Sequence, residues 1–165
     1  MYVQDVMSYD VESCDPGETL SDAARIMWEH DCGVVPVVDA ERRVVGMITD
    51  RDICMAVTLQ NRLASEIKVG EVMSQPVHAC TPVDDVREAL EVMRRAQVRR
   101  LPVVDGQGKL AGILSQSDVL RHSDQGKSKK HVSHKEAMKT LKAVSQPHQQ
   151  TPEGAEVAVD ETDAV

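Results

Sequence analysis

Two short stretches carry residue types that could hold a ligand. Thr49-Asp50-Arg51-Asp52 and Ser115-Gln116-Ser117-Asp118 each place a hydroxyl three residues ahead of a carboxylate. An ionised carboxylate is acceptor-only, and its two oxygens can accept from two vicinal hydroxyls. Charge-assisted bonds of this kind are short and strong. Each stretch also stands where a helix should begin, so free N–H groups and the positive end of the helix dipole would face a phosphate. The same spacing has a purely structural reading, with Thr or Ser as the N-cap and an acid at the third helical position. The two readings are compatible, because a capping carboxylate can also face a cleft.

Nothing else in the chain points to bond-making chemistry. No Ser-His-Asp or Cys-His constellation can be assembled, and neither a His-Glu-x-x-His motif nor a Walker loop appears. The protein is therefore not expected to be an enzyme or to need a cofactor. Cys14, Cys32, Cys54 and Cys80 form no C-x-x-C, and His131 and His134 stand alone in a Lys-rich stretch, so no metal site is expected. No run of apolar residues approaches the length of a membrane span, and no secretory signal is present. These features predict a soluble, cytoplasmic protein with free thiols. The net charge is −8, and aromatic residues make up only 2% of the 165 positions. Residues 1–122 hold 13 Lys/Arg against 20 Asp/Glu. An acidic surface with few stacking platforms argues against nucleic acid as a partner.

The elements that must position the two stretches come from an internal duplication. Shifting the chain by 66 residues lays Val6-Met7-Ser8 on Val72-Met73-Ser74, Cys14 on Cys80, Pro36-Val37-Val38-Asp39 on Pro102-Val103-Val104-Asp105, and Asp52 on Asp118. The register holds from Val3 to Ile53 without a gap. Each copy predicts a short strand (Val11–Cys14, Val77–Cys80). A helix follows whose apolar spacing runs Leu20, Ala23, Ala24, Met27 or Val86, Ala89, Leu90, Met93. A buried strand comes next (Val34–Val38, Arg100–Val104), then a turn, a second strand (Val44–Ile48, Leu110–Leu114), and a helix opening at Thr49 or Ser115. The fold class is α/β, with the order β-α-β-β-α twice. Units this small cannot bury both sheet faces alone, so the copies should pack on each other.

With V-M-S near each start, G-V-V-P-V-V-D and R-R-L-P-V-V-D, and G-M-I-T-D-R-D and G-I-L-S-Q-S-D, residues 1–122 resemble a tandem of cystathionine-β-synthase-type (CBS) domains, a Bateman module. The resemblance implies a pseudo-two-fold module with two clefts between the repeats that take AMP, ADP, ATP or S-adenosylmethionine as a regulatory ligand. It implies that Asp52 and Asp118 hold ribose hydroxyls, with Thr49 and Ser115 beside the ribose or phosphate. The pair Arg99-Arg100, and secondarily Arg51, would meet phosphates. The first repeat has Gly33 and Val34 in place of the arginine pair, so the clefts should be unequal. Ser13 stands where relatives often have a Thr lining the adenine pocket, whereas its counterpart Ala79 has no side-chain donor. Val35, Ile48, Leu101 and Leu114 are candidate apolar walls, and all four would be core in any case. Relatives also pair their modules, which implies a homodimer, and signal to a regulated protein that the sequence does not name. The rival reading is a ligand-free interaction or dimerisation scaffold.

The expected organisation is a first repeat over 1–62, a second over 63–122, a linker with a short helix over 123–147 and a disordered acidic tail over 148–165. Ser133-His134-Lys135-Glu136 fits a capping box. Ala137, Leu141 and Val144 then give one narrow apolar edge, and Pro147 should stop the helix. One narrow stripe cannot stabilise a lone helix of this length, so it should dock on the module, on a second subunit or on a partner.

Overall fold

The computed structural model describes residues 1–123 and 132–146. The linker positions 124–131, Pro147 and the acidic tail fall outside the described residues. After a short 3-10 turn at Val3–Asp5 come α1 (Leu20–Glu29), β1 (Val34–Val38), β2 (Val44–Thr49), α2 (Asp50–Gln60) and α3 (Val69–Val72). The second copy supplies α4 (Val86–Ala96), β3 (Arg100–Val104), β4 (Leu110–Ser115) and α5 (Gln116–Arg121), and α6 (His134–Val144) follows. The two copies form matching antiparallel hairpins, each with a register shift at the same place, Val37/Val38 and Val103/Val104.

The strand expected ahead of each first helix is reduced to a single parallel bridge, Cys14 to Val37 and Cys80 to Val103. Cys14 N donates to the Pro36 carbonyl at 3.1 Å and Val38 N donates to the Cys14 carbonyl at 2.9 Å. The next rung would need an N–H from residue 36. Proline has none, so the ladder stops there. Pro102 imposes the same limit on the second copy.

The copies pack by exchanging their lead-in segments. Ser8 pairs with Ile113 of β4 through two 2.9 Å bonds, and Ser74 pairs with Met47 of β2. Val3, Val6 and Met7 accordingly sit in a core with Val86, Leu90, Met93, Leu101 and Leu114. Ile67 and Val69 sit in the other core, with Leu20, Met27, Val35 and Ile48. The hairpin turns meet as well, through Val44 N to the Gly108 carbonyl and Leu110 N to the Arg42 carbonyl. Cys14 and Cys80 are buried at equivalent places, and burial pushes both thiols up to about 12.

A glycine permits each crossing. A Cβ on Gly112 would lie 2.6 Å from the Ser8 carbonyl oxygen, whereas one on Gly46 would meet the flexible Met73 side chain. Backbone cannot yield as a methionine can. Gly112→Ala is expected to cost about 2–3 kcal/mol and Gly46→Ala about 1 kcal/mol, read from urea midpoints. Equal losses would count against the rigid crossing.

Helix α6 docks on the second repeat. Ser133 and Glu136 form the expected capping box. The fully buried face is Ala137, Thr140 and Val144, not the expected Ala137, Leu141 and Val144, and Leu141 is half-buried. Thr140 tolerates burial because its hydroxyl is satisfied twice, donating to the Glu136 carbonyl at 3.2 Å and accepting from Arg94 Nη1 at 2.8 Å. Arg87 Nε pairs with Glu136 at 3.1 Å.

Candidate functional site

Strand β2 and helix α2 meet at Thr49, whose extended backbone makes it the N-cap. Asp52 N donates to Thr49 Oγ1 at 3.1 Å. In return Asp52 Oδ2 accepts from Thr49 N at 2.9 Å and from its hydroxyl at 2.7 Å. Capping therefore occupies one carboxylate oxygen. Among the described residues, Oδ1 of Asp52 has no hydrogen-bond partner.

This oxygen belongs to a residue that lines a cleft of about 750 Å³ between the repeats. Thr49, Asp50, Arg51 and Asp52 form one side, with Gly33 and Ser74. Residues 96–100 of the second repeat, including Arg99 and Arg100, form the other, and Val144, Ser145 and Gln146 supply a third wall. Gly33 lets the Asp50 carboxylate come close, since a Cβ there would sit 3.0 Å from it. The guanidinium groups of Arg51, Arg99 and Arg100 have no hydrogen-bond or ion-pair partner among the described residues. Three cations against two carboxylates leave the cleft net positive in a chain of net charge −8. A neutral-to-anionic ligand bearing hydroxyls suits this arrangement.

The second copy is built differently. Ser115 caps α5 as Thr49 caps α2, but Asp118 is 4% exposed and Arg121 pairs with its Oδ1. Its Oδ2 accepts from Ser115 N at 2.8 Å and from the Ser115 hydroxyl. Both oxygens thus have partners and the side chain is buried, so Asp118 is less accessible to a ligand than the half-buried Asp52. The cleft on this side is about 200 Å³, with Ser8, His30, Cys32 and Val34 at the positions of Ser74, Ala96, Val98 and Arg100, and with Asp10 and Glu12 nearby. Ser115 instead borders a separate polar pocket of about 300 Å³, together with Arg99, Arg100 and Ser117.

The apolar walls expected from Val35, Ile48, Leu101 and Leu114 do not materialise. All four are 0% exposed in the two cores, with no surface left for a ligand. In an all-apolar run such as Val34–Val38 the sequence has no alternation to mark the inward face. Ser13 is half-buried ahead of Cys14 and lines neither cleft. Asp50, inside the first motif, and Ser74, inside the V-M-S match, line the cleft without having been expected there. Ser145 and Gln146 carry no sequence signal. His134 Nδ1 lies 2.8 Å from the Ser123 hydroxyl, and His131 is outside the described residues. None of the described helices is long and apolar enough to cross a membrane.

Two β-hairpin repeats with exchanged lead-ins and a cleft of about 750 Å³ between them define a tandem-repeat module. The CBS domain family profile matches residues 3–59 and 69–124, and the chain belongs to that family. It is 37% identical over 119 residues to an uncharacterized protein of Methanopyrus kandleri, covering 72% of this chain and 61% of that one. Among solved structures, a CBS domain pair in complex with 5′-methylthioadenosine and S-adenosyl-L-methionine superposes with a TM-score of 0.67 at 25% identity, over 73% of this chain and 94% of that one. A CBS-pair protein of Arabidopsis thaliana in complex with AMP gives 0.63 at 28% identity, over 73% and 93%.

Proposed function

We propose that this protein is a regulatory module that binds an adenosine nucleotide in the 750 Å³ cleft and signals by a conformational shift to a regulated partner. The observation that carries the reading is the convergence, in one cleft, of a carboxylate oxygen and three arginines that have no partner among the described residues. Asp52 would accept the ribose hydroxyls, and Arg51, Arg99 and Arg100 would meet the phosphates. The AMP, methylthioadenosine and S-adenosylmethionine bound by similar CBS pairs support the adenosine class. The role is regulatory and not catalytic, since a ligand that prefers one of two arrangements shifts the population without bond chemistry. Four unpaired cysteines fit a reducing cytoplasm.

A self-association role has its own support. Trp28 is 87% exposed on α1, and Met55 and Leu59 are exposed on α2. An apolar face of this kind suits a second copy of the module. Self-association and nucleotide binding are compatible, because the cleft and this face are lined by largely different residues.

The test is a thermal-shift panel of AMP, ADP, ATP and S-adenosylmethionine. A ligand at a hundredfold excess over Kd adds about 2.7 kcal/mol, or roughly 5–10 °C in Tm for a chain of this size. A melt unmoved by all four at millimolar concentration would leave the scaffold reading in possession.

A further inference from the structure

Helix α6 lies beyond both matched repeats, which end at residue 124, yet its last turn walls the ligand cleft. We infer that Ser145 and Gln146 are ligand-binding residues and that ligand occupancy and the docking of α6 reinforce each other. The inference rests on the nucleotide reading of the cleft and adds to it an element outside the two repeats.

The geometry separates two jobs along one helix. The face toward α4 and α5 holds α6 in place, with Ala137, Thr140 and Val144 buried and Arg87 and Arg94 bonded to Glu136 and Thr140. Ser145 and Gln146 take no part in that anchoring. Both are exposed, both border the cleft that Arg99 and Arg100 also line, and neither side chain has a hydrogen-bond partner among the described residues. A serine hydroxyl and a glutamine amide each donate and accept, so they suit phosphate oxygens, ribose hydroxyls or a base edge. Ser145 also borders the neighbouring polar pocket with Arg99, Arg100 and Ser117, so the arginine pair has α6 beside it on two sides.

The thermodynamic consequence follows from linkage. Contacts with Ser145 and Gln146 exist only while α6 is docked, so a bound ligand favours the docked state. By reciprocity, docking raises ligand affinity by the same factor. The outward face of α6 exposes Lys135, Met138, Lys139 and Lys142, so its docking presents or withdraws a basic surface according to ligand occupancy. A purely structural α6, present only to finish the second core, would show neither effect.

Hydrogen exchange over residues 133–146, measured on the full chain with and without saturating AMP or ATP, reads docking directly. Protection there is expected to rise by at least fivefold, the lower range of ordinary coupling energies. The Ser145→Ala/Gln146→Ala variant keeps every anchoring contact, so its ligand-free Tm should match the parent while its Kd for the same nucleotide rises about fivefold. Nucleotide binding with unchanged or lowered α6 protection overturns the inference and leaves the nucleotide reading intact. Parental affinity in the double variant does the same. Absence of any nucleotide binding overturns both readings together.

Discussion

Replacing Arg99 and Arg100 together with alanine is expected to raise the Kd for AMP and ATP by about tenfold to a hundredfold, and to leave that for adenosine within about threefold. Hydrogen bonds to charged groups contribute about 1.5–3 kcal/mol each when well sheltered. Both arginines are exposed at the cleft, so solvent screening brings each nearer to 1 kcal/mol. Neither is engaged in another ion pair among the described residues, so no existing bond must break when phosphate arrives. For the same reason the variant should fold with a stability within about 0.5 kcal/mol of the parent. The phosphate contribution should also weaken as salt is raised, because ions screen charge pairs that meet at a solvent-exposed cleft. Calorimetric titration of adenosine, AMP and ATP at two salt concentrations provides the measurement. Equal losses for adenosine and AMP would remove the phosphate role and leave the ribose role of Asp52 standing.

That arginine pair was legible in the sequence because the 66-residue offset sets it against Gly33-Val34, and the same mismatch led to the expectation of unequal clefts. The hairpins, the helix caps and the order of elements were legible for the same reason, since duplication makes each copy a check on the other. Three features were not. The first strand of each copy fails because Pro36 and Pro102, read as parts of their own strands, also withhold an N–H from a neighbouring one. The exchange of lead-ins is invisible in a repeat alignment, because residues 1–7 match residues 67–73 whichever core receives them. Helix α6 has no counterpart in the duplication, so its apolar edge implied docking without naming the surface, and nothing marked Ser145 and Gln146 as cleft residues. The inequality of Asp52 and Asp118 lies between these cases. Arg121 and Met55 occupy the same place in the two copies, three residues beyond the carboxylate. On a helix that spacing brings an arginine onto the aspartate and leaves a methionine with nothing to offer it.

Asn in place of Asp52 and Asn in place of Asp118 should therefore produce opposite profiles. At Asp52 the capping oxygen serves α2, and an amide oxygen can keep part of that role, so the stability cost should be a few tenths to about 1 kcal/mol. The uncommitted Oδ1 is what the ligand requires, and Asn replaces it or its partner with a donor. Loss of charge-assisted bonding to two ribose hydroxyls is worth roughly 1.5–3 kcal/mol, which is about a tenfold to hundredfold rise in Kd for adenosine and AMP alike. At Asp118 the balance reverses. The side chain is buried, Arg121 holds one oxygen, and Ser115 donates twice to the other. An Asn there must turn its NH2 toward either the guanidinium or the Ser115 donors, leaving a buried polar group mismatched at a cost of about 2–3 kcal/mol. Because Asp118 is buried and lines neither of the two clefts described above, nucleotide affinity measured on the folded fraction should stay within about twofold. Urea midpoints and calorimetry on the two variants give four numbers. A Kd that rises equally in both would restore a ligand role to Asp118. Parental affinity in Asp52→Asn would reduce Thr49 and Asp52 to a helix cap and move ribose recognition elsewhere in the cleft.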